Sequence, residues 1–84
     1  MVKNPIHQKY RGLELLADSK VENLDDILPE MQKHWPGAFL ENNAGPERSF
    51  FDTHTHLLIG YAWYKHRLGV GKWNYLIFKT PQKW

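Results

Sequence analysis

The residues in this chain that most resemble chemistry are Asp52, Thr53, His54, Thr55 and His56, a D-x-H-x-H string. Imidazole and carboxylate are the donors a zinc or nickel ion takes. On a strand, His54 and His56 point the same way and can share an ion, with Asp52 adding an oxygen. On a helix they stand about 200° apart, at about 100° per residue, and cannot both ligate. The metal reading therefore depends on the element that carries the string. A second group is made of cations interleaved with aromatics: Trp63, Tyr64, Lys65, His66, Arg67, Lys72, Trp73 and Tyr75. Bases stack on rings while cations follow phosphates, so this mixture suits nucleic acid. It suits a protein partner equally, since Trp, Tyr and Arg dominate interface hot spots.

Preceded by Phe50 and Phe51, the D-x-H-x-H string resembles the strand-borne first ligand motif of the amidohydrolase-type metal-dependent DNases, over residues 50–57. That resemblance implies two metal-binding histidines, His54 and His56, at the mouth of a large barrel whose later strands supply further ligands. Here 28 residues follow His56 and none of them is acidic. A barrel of that type needs at least about 200 residues. The assignment is rejected, and no metal ligand, catalytic residue or cofactor is assigned. Other catalytic patterns are sparse. Ser49 and Ser19 are the only serines and neither sits in a nucleophile elbow. Gly69-Val70-Gly71-Lys72 lacks the spacing of a phosphate loop. His54, His66, Arg67, Lys72 and Tyr75 contain the side-chain types of a small ribonuclease, but only as composition. The balance leans against an enzyme.

Eighty-four residues, 42% hydrophobic and 24% charged, make one small globular domain spanning 1–84. With no cysteine, stability must come from packing, for which four Trp, four Tyr and four Phe supply contact area. The first twelve residues contain no apolar signal core, and no apolar run approaches the roughly 18 residues that span a bilayer. No membrane contact is expected, and a cytoplasmic location is the default. The net charge of +2 conceals an asymmetry, because all nine acidic residues lie at or before Asp52. From residue 53 onward the charged side chains are Lys65, Arg67, Lys72, Lys79 and Lys83, which favours an acidic partner at that end.

The elements that must position these groups follow from periodicity. Ile6, Tyr10, Leu13 and Leu16/Ala17 predict a short helix over 6–17, with a strand over 13–17 as the competing reading. Leu24, Ile27, Leu28, Met31 and Trp35 form one face of a helix capped by Asn23 or Asp25 and stopped by Pro36-Gly37. Pro29 must then fall near its first turn. Residues 36–48 have loop composition around a short strand at 38–41. For the central stretch we prefer a helix begun by Ser49 and Asp52 as a capping box. Its stripe would be Phe50, His54, Leu57, Tyr61, Tyr64 and Leu68, and Gly69 would take the left-handed position that ends it. The alternative is a strand over 57–64 turning near 68–72 into a hairpin with a strand over 73–79. Trp84 in the tail would pack back or anchor a partner.

The expected architecture is α+β, two or three helices packed on a short antiparallel sheet ending in the 73–79 strand. The expected function is that of a small non-enzymatic protein docking on a macromolecular partner, a protein first, as inhibitor, adaptor or regulator. This size is shared by many phage and mobile-element accessory proteins. Nucleic-acid binding through the basic half is the alternative, and a metal-binding or hydrolytic protein on Asp52, His54 and His56 the third reading. The candidate binding residues are Trp63, Lys65, Arg67, Lys72, Trp73 and Tyr75.

Overall fold

A computed structural model describes residues 12–41 and 45–83. Its main feature is one five-stranded antiparallel sheet of order β1-β5-β4-β3-β2, formed by β1 (Leu15–Val21), β2 (Ala38–Glu41), β3 (Glu47–Asp52), β4 (Leu58–Arg67) and β5 (Val70–Gln82). One α-helix, α1 (Ile27–His34), follows a single 3-10 turn at Leu24–Asp26 and connects the two edge strands. The expectation of two or three helices on a short sheet is therefore corrected: 49–68 is not helical, and among the described residues one short helix remains. Residues 15–17 of the expected first helix lie in β1, and residues 6–11 and 84 lie outside the described residues.

The error in the central stretch has a physical cause. β4 is a central strand buried on both faces, so its apolar run from Leu58 to Trp63 does not alternate with polar residues. Without that alternation, periodicity cannot separate a buried strand from a buried helix. Both faces are filled. On one, Ile59, Ala62, Tyr75, Ile77, Phe50 and Ala38 pack under Ile27 and Met31 of α1. On the other, Leu58, Tyr61, Trp63, Leu76, Phe78 and Phe51 cluster, with Leu13 and Leu15 against them.

The helix is the element whose pattern matches its structure most directly. Ile27 and Met31 are fully buried, and Leu24, Leu28 and Trp35 pack around them. Pro29 is the third helical residue, where its missing N–H has no intrahelical acceptor to lose. Neither Asn23 nor Asp26 makes a side-chain capping bond, and Asp25 lies inside the 3-10 turn. The end is fixed from a distance. Between Ile77 and Gln82 the register of β5 slips against β4. In that interval the Trp35 indole N–H donates to the Phe78 carbonyl at 2.9 Å, joining the helix end to the sheet. Gly60 lies directly below Met31, leaving room for the thioether. Among the described residues no helix is long and apolar enough to cross a membrane.

Candidate functional site

Beyond the contact of Tyr64 N–H with the Pro46 carbonyl and the pairing of Val21 with Trp73, no described strand flanks β4 or β5. The two strands run on together as an arm of paired residues: Lys65 with Lys72, His66 with Gly71, Arg67 with Val70. Three residues per strand at about 3.3 Å each make the arm about 10 Å long before its turn. Leu68 and Gly69 close it with φ of 53° and 80°. Two successive left-handed residues form the two-residue turn that matches strand twist. Gly69 thus has the left-handed conformation expected of it, in a hairpin turn instead of a helix terminus.

Alternation then sorts the candidate residues. Trp63, Lys65 and Arg67 from β4 face away from the helix, together with Lys72 and Asn74 from β5 and Asp18 and Lys20 from β1. They line a concavity of about 460 Å³, with the buried Trp63 and Asn74 at its base and Val70 on its rim. Four cations thus converge: Lys20, Lys65, Arg67 and Lys72. None of them forms an ion pair with a carboxylate among the described residues. Lys65 and Lys72 are direct cross-strand partners, an arrangement of like charges that is unfavourable until a counter-charge enters. Asp18 supplies the one carboxylate in the lining.

Trp73 and Tyr75 are not part of this group. Both project to the helix side of the sheet, where Tyr75 is in the core. Trp73 meets Tyr64 edge-on at 5.3 Å, and the Arg48 guanidinium lies 5.2 Å from its ring centre. The Tyr64 ring crosses Gly71 so closely that a Cβ there would collide with its hydroxyl. The structure therefore gathers Trp63, Lys65, Arg67 and Lys72 and separates Trp73 and Tyr75 from them. It adds Lys20, Asp18 and Asn74, which sequence reasoning missed. Lys20 joins only because β1 pairs with β5, a contact some fifty residues apart that no local pattern announces.

The D-x-H-x-H string lies in the turn between β3 and β4, with Asp52 at the end of a strand and not at the start of a helix. Asp52 is nearly buried, and one carboxylate oxygen accepts from the Thr55 N–H and the Thr55 hydroxyl, both at 3.0 Å. Thr53 in turn donates its N–H and its hydroxyl to the Gly37 carbonyl at 2.8 and 2.7 Å, fastening the turn to the segment after α1. His56 has a left-handed φ of 60°, and both histidines are exposed. Among the described residues no group of three or more His, Asp or Glu side chains is placed to hold a metal ion. These five residues form a fastened turn. No protein-family model, curated protein or solved structure matches the chain.

Proposed function

We propose that this chain is a binding protein that performs no chemistry of its own and docks on nucleic acid through the basic face of the β4–β5 arm. Of the two partner classes expected from the sequence, protein and nucleic acid, one observation favours the second. Four cations unpaired with any described carboxylate converge on one concavity along one face of a projecting two-stranded ribbon. Phosphates neutralise such a set and release counterions in doing so, which makes the contact favourable and salt-dependent. A two-stranded ribbon can also enter a groove of a duplex. Lys65, Arg67, Lys72 and Lys20 contact the backbone, and Trp63 and Asn74 hold the floor from which they rise. A cytoplasmic location is part of the proposal.

The test is a binding titration of the full chain with labelled duplex DNA and duplex RNA at several salt concentrations. Three to four phosphate contacts give a slope of log K against log salt of about −2.7 to −3.6. Between about 50 and 200 mM salt the affinity then falls roughly 40- to 150-fold. The triple variant Lys65→Gln, Arg67→Gln, Lys72→Gln flattens that slope by about three. Failure to bind either duplex, or a slope the triple variant leaves unchanged, refutes the proposal. An arm-dependent complex with a protein, in the absence of nucleic-acid binding, would assign the surface to protein docking.

A further inference from the structure

The tip of the arm carries a residue that the cations do not explain. Leu68 is 96% exposed and holds a left-handed backbone conformation, φ 53°. Asn, Asp or Gly occupies such a position with less strain, and a polar residue would cost nothing in water. Neither feature benefits the free protein. Val70, two residues on, is 54% exposed, and Arg67 immediately precedes the turn, so the tip is apolar beside a positive face.

We infer that Leu68 is a wedge that enters between adjacent base pairs of a duplex while the cations behind it hold phosphates. The inference rests on the nucleic-acid reading above and deepens it. Apolar side chains at the end of a protein projection unstack a base step in this way and kink the helix. Arm rigidity is what such a wedge requires, and the Tyr64 ring supplies it by bridging the two strands over Gly71 and abutting Trp73. A single strand is a poorer fit. Proteins that bind single strands offer open ring faces to successive bases. Here Trp63 is 7% exposed, and Trp73 is flanked by Tyr64 and Arg48.

The experiment compares binding of the full chain to three duplexes of one sequence: intact, with one nick, and with one mismatched pair. A nick or mismatch has already lost part of the stacking that a wedge must break. The wild type is expected to prefer the nicked and mismatched duplexes by about tenfold or more. Leu68→Asn, which the left-handed position accepts, removes the preference and retains the salt slope on intact duplex. Leu68→Met, still apolar, keeps the preference. Equal binding of all three duplexes by the wild type overturns the wedge and leaves the nucleic-acid reading standing. So does a preference that survives in Leu68→Asn. Absence of salt-dependent binding to any duplex overturns both.

Discussion

Replacing Gly60 by Ala places a methyl group where the sheet has none, immediately under α1. The new Cβ would stand 2.5 Å from Met31 Sδ, would collide with Met31 Cε, and would stand 3.1 Å from the Leu76 carbonyl oxygen. Ordinary contact lies at about 3.5–4.0 Å, so the thioether must withdraw by more than about 1 Å. Met31 is 0% exposed and can move only into packed neighbours. Overpacking of this kind costs about 1–3 kcal/mol. Removing a glycine from a strand returns about 0.5–1 kcal/mol, leaving a net loss of about 1–2 kcal/mol. In a domain of this size that lowers the melting temperature by roughly 5–15 °C. Met31→Ala alone leaves a cavity and costs about 2–5 kcal/mol. When the two changes are combined, the methyl group introduced at position 60 occupies part of that cavity. The double variant then loses less than the sum of the singles by at least about 1 kcal/mol. Urea unfolding of the four proteins, followed by tryptophan fluorescence, measures the cycle. Additivity within about 0.5 kcal/mol, or a simple gain in stability from Gly60→Ala, would refute the contact between helix and strand.

Other consequences are as direct. Leu68→Asn relieves the left-handed leucine and stabilises the fold by about 1 kcal/mol, raising the melting temperature by roughly 4–8 °C; an unchanged midpoint would mean the turn is unstrained. Lys65→Gln removes one of two like charges facing each other and stabilises by about 0.2–1 kcal/mol. That gain shrinks as salt is raised, which melts at low and high ionic strength detect. Asp52→Ala strips Thr55 of the acceptor for its N–H and hydroxyl and costs about 1–3 kcal/mol in chemical denaturation. Zinc or nickel leaves the wild-type melting temperature unchanged, and an increase would restore His54 and His56 as ligands.

What could be read in advance divides along a physical line. The helix is legible because Leu24, Ile27, Leu28, Met31 and Trp35 bury one face only, and because Pro36-Gly37 stops it where the chain turns. Ala38–Glu41 and the 73–79 segment are legible as strands for similar local reasons. The stretch from Ser49 to Leu68 is not, because each of its cues has two meanings. Ser49 and Asp52 imitate a capping box, yet Asp52 caps a turn and Ser49 is buried in β3. Gly69 is left-handed under either reading. Of the site, the cations on the arm are visible in the sequence, but not their common face, which exists only once residues 58–67 form a strand. Trp73 and Tyr75 adjoin these cations in sequence, but strand alternation sends them to the other side.

The strand order has a consequence for synthesis. β5 lies between β1, the first of the described strands to be made, and β4, and it pairs with both. As the chain leaves the ribosome, β2, β3 and β4 can assemble as a meander, but among the described strands β1 has no neighbour until β5 arrives. Until then Leu15 and Ala17 of β1, and the apolar side chains of β4 that face away from the helix, wait in water. Pairings between such distant segments close slowly, and exposed strand edges invite aggregation meanwhile. In the interval before residues 70–82 are released, β1 and the open edge of β4 are therefore the segments most exposed to mispairing.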